Sequence, residues 1–130
     1  MQTLSFFFLI VSTTTVFADY PTEIQWEKRE ANWSRYVDDI EHVEVKLWDD
    51  TRCDYVSKTH AIEIDWASSS KVFEAVGQAE YYSIVLDKKP GIILLVKETE
   101  RETSRKYVFR CQTVCAKLGI KLWVEIVKDE

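Results

Sequence analysis

The stretch from Thr51 to Tyr82 reads TRCDYVSKTHAIEIDWASSSKVFEAVGQAEYY. It holds two β-like runs, and an amphipathic helix follows at once. Arg52 to Val56 reads as one strand and Ser57-Lys58-Thr59 as a turn. His60 to Trp66 reads as the next strand, with Ala61, Ile62 and Ile64 apolar. Ser68, Ser69 and Ser70 each supply a cap for a helix running from Lys71 to about Leu86. At 100° per residue, Val72, Phe73, Val76, Ala79 and Ile84 gather on one side of that helix. Lys71, Glu74, Gln78 and Tyr82 fall in a narrow arc opposite. Three acidic residues punctuate the strands: Asp54 in the first, Glu63 and Asp65 at the end of the second.

Outward from this stretch the pattern continues. His42 to Trp48 alternates, with Val43, Val45 and Leu47 on one side and His42, Glu44 and Lys46 on the other. Such alternation marks a half-buried strand. Asp49-Asp50 makes the turn that pairs it with Arg52 to Val56. Downstream, Lys88-Lys89-Pro90-Gly91 stops the helix. Ile92 to Val96 is a continuous apolar run, as expected of a strand buried on both faces. Lys97 to Arg105 reads as a charged connection and Lys106 to Leu118 as a second helix, ended by Gly119. Ile120 to Val127 is a last strand. Upstream, Ile24, Trp26, Trp33, Tyr36 and Val37 line one side of a helix within Asp19 to Val37. Tight turns make the early strands antiparallel; helical crossovers make the later ones parallel. The expected fold is α/β, a mixed β-sheet flanked by helices.

Composition bounds the reading. The 130 residues are 46% hydrophobic and 30% charged, which argues against disorder. The net charge of −5 means that the surface as a whole does not attract nucleic acid. Residues 1–18, MQTLSFFFLIVSTTTVFA, have the apolar run and small-residue end of a signal peptide, although Lys and Arg are missing ahead of the run. Cleavage after Ala18 would leave 19–130 as a single secreted or periplasmic domain, without stable membrane insertion. Cys53, Cys111 and Cys115 are three, so one at least stays unpaired. Buried thiols are expected, with a bridge from Cys53 to one of the others as the alternative. The five tryptophans are scattered and read as core or rim packing.

Three carboxylates carry the chemistry. Neighbouring strands lie about 4.8 Å apart, so side chains of Asp54 and Glu63 on one face can converge. Glu63 and Asp65, two apart, share a face. Such oxygen donors suit Mg²⁺ or Mn²⁺, which polarises a phosphoryl oxygen and activates water. The same spacing also fits solvated carboxylates on the polar side of a half-exposed sheet. Other constellations are poorer. His60 lies on the opposite strand face from Glu63, Cys111 and Cys115 lack a second Cys/His pair for zinc, and there is neither a G-x-S-x-G nor a glycine-rich phosphate loop.

These residues resemble the PD-(D/E)xK nuclease superfamily. There an aspartate on one strand precedes a glutamate and a lysine, spaced E-x-K, on the next. The family's restriction-endonuclease-like core, α-β-β-β-α-β, is similar to the order read here, with a C-terminal helix and strand added. Gln78-Ala79-Glu80-Tyr81-Tyr82 has the form of the RecB-type Q-x-x-x-Y helix motif. The segment THAIEIDWASSSKVFEAVGQAEYY also resembles a group of small exported bacterial proteins with this core. The resemblance implies that Asp54 and Glu63 bind metal and that Gln78 and Tyr82 contact substrate or support the site. Asp65 departs from it, occupying the lysine position. An aspartate there can add a metal ligand but cannot stabilise negative charge as the lysine does. Lys71, on the helical arc with Gln78 and Tyr82, is the expected substitute, with Glu74 one turn on; an ordinary surface ion pair is the alternative. The implied function is Mg²⁺- or Mn²⁺-dependent hydrolysis of a phosphodiester in DNA or RNA, by a monomer or a homodimer. The alternative is a nuclease-fold protein without turnover that serves as a binding or interaction module.

Overall fold

The computed structural model describes residues 40–128; the leader expected over 1–18 and the helix expected within Asp19 to Val37 lie outside them. Strands β1 (Ile40–Lys46), β2 (Arg52–Ser57), β3 (His60–Trp66), β4 (Lys89–Lys97) and β5 (Lys121–Val127) lie side by side in chain order. The first three are antiparallel and the last three parallel. Helix α1 (Lys71–Leu86) joins β3 to β4, and α2 (Arg101–Leu118) joins β4 to β5. The described chain is therefore α/β with a mixed sheet, as the tight turns and the crossovers require.

Both crossovers advance in the same direction across the sheet, so right-handed connections place both helices on one face. Ile92, Leu94 and Val96 of β4 pack there beneath Val72, Ala75 and Ala79 of α1 and Cys111 and Cys115 of α2. A second cluster under α1 joins Val45, Cys53, Val56 and Ala61 to Tyr82. Val43, Tyr55, Ile62 and Ile93 form a cluster on the other face, with Trp123 partly buried against it. No helix among the described residues belongs to that cluster.

The face that α1 buries keeps Val72, Val76 and Ala79 as read from the sequence but is rotated away from Phe73 and Ile84. Val72, Ala75, Val76, Ala79, Tyr82 and Ser83 are buried, a stripe of i, i+3, i+4 spacing. Phe73 is 56% exposed and Ile84 69% exposed, although both were expected in the core. Small Ala75 and Ala79 let the helix approach the sheet, and Tyr82 is drawn in by a polar partner described below. Ser70, one of the three serines expected to cap, stands at the cap position without a side-chain cap hydrogen bond. Asp87, in the left-handed region at φ 53°, ends α1. Lys89, Pro90 and Gly91 already belong to β4 rather than to a turn.

Helix α2 starts at Arg101, inside the segment expected to be a charged connection. Buried Ser104 extends the stripe of Cys111 and Cys115 back by two turns, and Tyr107 and Val108 fill the space between. Gly119 (φ 70°) then turns the chain so that the Ile120 N–H reaches the Cys115 carbonyl at 3.0 Å. All three cysteines are free and buried, with Cys53 in a different cluster from the other two. Trp48, expected in core or rim, is 77% exposed.

Gly91 carries a packing constraint. A Cβ built there would lie 3.0 Å from Cζ3 of Trp123 and 3.1 Å from Cγ1 of Ile62. Gly91→Ala is expected to lower the unfolding free energy by about 1–3 kcal/mol, because both neighbours must shift to admit the methyl group. Urea denaturation with an unchanged midpoint would show that the Trp123 ring yields without cost.

Candidate functional site

Strand alternation fails at two opposed positions, and the candidate site is built on that failure. Val43 and Val45 are two apart yet bury into clusters on opposite faces; so do Cys53 and Tyr55. Between them lie Glu44, with φ 50° in the left-handed region, and Asp54. Val43 pairs with Tyr55 and Val45 with Cys53, so both strands switch faces at the same level. The uniform alternation read over His42 to Trp48 is thereby corrected.

The β2–β3 ladder runs through Val56–Ala61 and Tyr55–Ile62 and goes no further. Beyond it carboxylates take over the backbone donors. The Ile64 N–H donates to Asp54 Oδ2 at 2.8 Å, and the Asp54 N–H donates to Glu63 Oε1 at 3.3 Å. Glu63 lies opposite Ile92 of β4, on the face beneath the helices, and is 4% exposed.

Burying two carboxyl groups together penalises their charged forms. Burial first, and the Asp54 charge second, push Glu63 up to about 9. Burial also raises Asp54, to about 6, against the hydrogen bond from Ile64. Glu63, the more deeply buried of the two carboxyl groups, is therefore raised further. Asp65 is half-buried and also raised, chiefly by burial, while its Oδ1 accepts the Trp66 N–H at 2.9 Å. Its charge reaches both Asp54 and Glu63, so the three expected carboxylates share one electrostatic neighbourhood. Glu44 joins them from β1 as a further negative charge on Asp54, and Arg52 pairs with it at 2.7 Å. The sequence reading did not single out Glu44, because regular alternation hid the switch of faces.

The helix contributes less directly than expected. Lys71 Nζ lies 3.1 Å from Glu74 Oε2 and 3.3 Å from its Oε1, an exposed pair that also feels Asp65. Gln78 is half-exposed. Tyr82 is not on an outer polar arc with them; it is buried, 3% exposed. Its hydroxyl meets the Thr51 side chain and the Arg52 backbone, and the Glu63 charge reaches it. It therefore braces the strand that carries Asp54. The preceding Tyr81 donates its hydroxyl proton to Asp49 Oδ2. Asp49 Oδ1 in turn accepts the Thr51 hydroxyl at 2.6 Å and the Thr51 N–H at 3.1 Å. Two adjacent tyrosines thus tie α1 to the β1–β2 hairpin. Only the second of them was picked out in the sequence. His60 faces away, edge-on to Trp123 at 6.2 Å between ring centroids.

Among the described residues, no group of three or more His, Cys, Asp or Glu side chains is disposed to hold a metal ion. The donor set nevertheless suits a hard cation. Magnesium is commonly held by one or two carboxylates completed by water, and Asp54, half-buried, and Glu63, buried, are two carboxylates already gathered together. Comparison with family models, with curated proteins and with solved structures returned no match. Among the described residues, no helix is long and apolar enough to cross a membrane.

The buried pair sets a pH dependence. In the unfolded chain Glu63 releases its proton near 4.5, and in the folded protein near 9. The folded state binds more protons across that window, so stability is highest at the acid end and falls as pH rises from about 5 to 9. A loss of up to about 6 kcal/mol across that window is expected in metal-free buffer. Glu63→Gln should flatten the profile. Equal slopes for both proteins, measured by denaturation at several pH values, would place the proton elsewhere.

Proposed function

We propose that this chain is a small nuclease-type hydrolase with a restriction-endonuclease-like core of the PD-(D/E)xK kind, acting on a phosphodiester of DNA or RNA with Mg²⁺ or Mn²⁺. The observation that carries the reading is the placement of buried Glu63 against half-buried Asp54 where the β2–β3 ladder opens. Such a pair needs a proton or a cation. Asp54 and Glu63 would hold the metal, with Asp65 adding an oxygen. The metal would polarise the phosphoryl group and supply an activated water. Lys71 would meet developing negative charge at the rim, Gln78 would face substrate, and Tyr82 would hold β2 in place from below. Export to a secreted or periplasmic location belongs to the same reading.

A second reading keeps the fold without turnover, as a binding or interaction module. Two observations favour it: Asp65 stands where a lysine would serve, and the Lys71 ammonium is engaged by Glu74. Calorimetric titration of Mn²⁺ into the protein separates the two at the first step. Binding that disappears in both Asp54→Asn and Glu63→Gln, with melting temperatures kept or raised, is the expected result. Variants that bind like the parent would remove the acidic pair from consideration. Lys71→Ala should leave Mn²⁺ affinity within about twofold while lowering cleavage of DNA or RNA by roughly 10²-fold or more. Unchanged cleavage would return Lys71 to the exposed ion pairs that decorate helices.

A further inference from the structure

Two thiols meet on the inner side of α2. Cys111 and Cys115 stand four residues apart, so the helix sets their side chains on one face, one above the other. Their sulfurs are 3.8 Å apart, and both residues are buried, at 0% and 2% exposure. The surrounding wall is apolar, with Ile92, Leu94 and Ile120 in the same cluster. One polar atom breaks it. Glu80 of α1 holds Oε1 out of solvent without a hydrogen-bond partner, and its charge reaches Cys115. The third thiol, Cys53, belongs to another cluster and feels the charges of Glu63 and Asp54 instead.

We infer that Cys111 and Cys115 form a binding site for one soft monovalent metal ion, Cu(I), held between the two sulfurs as a bis-thiolate. The site is independent of the acidic pair, whose oxygen donors suit a hard cation. Thiolate sulfur selects soft ions such as Cu(I), whereas Mg²⁺ and Mn²⁺ seek oxygen. Cu(I) can be held by two ligands, and two are what this helix face supplies. A structural zinc site takes four. Among the described residues, no group of three or more His, Cys, Asp or Glu side chains is disposed to hold a metal. A disulfide is the other use of neighbouring thiols. Its S–S bond is about 2.0 Å long, so forming it would draw one turn of the helix together and consume an oxidant. An ion between the sulfurs requires neither. Binding replaces two S–H bonds by two S–Cu bonds, and two protons leave. Glu80 Oε1 accepts one and solvent the other, so loading exchanges one buried cation for another. Cys115 lies in the last turn of α2, where a helix frays, and that turn is the way in.

The test is anaerobic titration of the reduced full chain with the Cu(I)–bicinchoninate complex. The parent should withdraw one Cu(I) per chain and bleach the complex in proportion. Cys111→Ala and Cys115→Ala should each lose that uptake, whereas Cys53→Ala should keep it. Circular dichroism checks that each variant is folded. X-ray absorption of the loaded parent needs no variant, and its copper should show two sulfur neighbours. A parent that leaves the complex intact overturns the proposal. So does uptake that survives in Cys111→Ala or Cys115→Ala, uptake lost in a folded Cys53→Ala, or a copper with three sulfur neighbours or a shell of oxygen.

Discussion

The hydrogen bond from the Ile64 N–H to Asp54 Oδ2 decides how this sheet is built. A backbone donor inside a sheet must be satisfied, and here a side chain does what the neighbouring strand's carbonyl would ordinarily do. The carboxylate can reach that donor only if β2 turns at Asp54. The turn carries Cys53 to one face and Tyr55 to the other. β1 follows through the left-handed conformation of Glu44, so the hairpin keeps its pairing while it changes face. The opening brings Glu63 against the Asp54 N–H and beneath α1. Tyr82 closes the arrangement from the helix side, its hydroxyl meeting Thr51 and the Arg52 backbone at the start of the same strand. Truncating the Asp54 side chain would therefore leave the Ile64 amide without its acceptor, whereas asparagine keeps an oxygen that can accept.

Most of the fold is legible in the sequence because local signals agree with one another. His60–Trp66 and Lys71–Leu86 are read to the residue, since the alternation ends at Trp66 and the helical period begins after three serines. The apolar run Ile92–Val96 can be satisfied only between two strands, where β4 lies. The errors are equally physical. Hydropathy placed Phe73 and Ile84 inside and Tyr82 outside. The helix is oriented instead by small residues that permit close approach and by a tyrosine with a buried polar partner. The start of α2 was hidden by charged residues, because a helix facing solvent over most of its circumference needs few apolar positions. Ser104 is among those it buries.

The candidate site was legible in part. Asp54, Glu63 and Asp65 were found from spacing across a turn, and the structure puts them within reach of each other's charge. Spacing could not reveal Glu44, whose place depends on a backbone conformation that leaves no mark in the hydrophobic pattern. Nor could it separate the neighbouring tyrosines, of which Tyr81 anchors the hairpin turn and Tyr82 the strand. Lys71 shows a limit of helical arcs. An arc gives the direction in which a side chain faces and not its partner, here Glu74 one turn on, at the surface.

The acidic pair can be understood from the cost of charge in a dry place. A single buried carboxylate survives by taking hydrogen bonds from backbone amides, as Asp54 does from Ile64. A second one beside it has a weaker recourse. Its nearest amide donor, that of Asp54, sits at 3.3 Å, and it faces another negative charge. It must therefore keep a proton or exchange it for a cation. A structural role alone would be met as well by glutamine, which has the same shape and no charge to suppress. The carboxyl at Glu63 differs from glutamine in being able to give up its proton when a positive ion arrives. The rest of this surface agrees with that distinction. The ion pairs Lys46–Asp50, Lys71–Glu74 and Arg105–Glu102 are exposed and of the kind that contributes little to stability. Glu63, by contrast, is 4% exposed beneath a helix, where its charged form carries a desolvation cost.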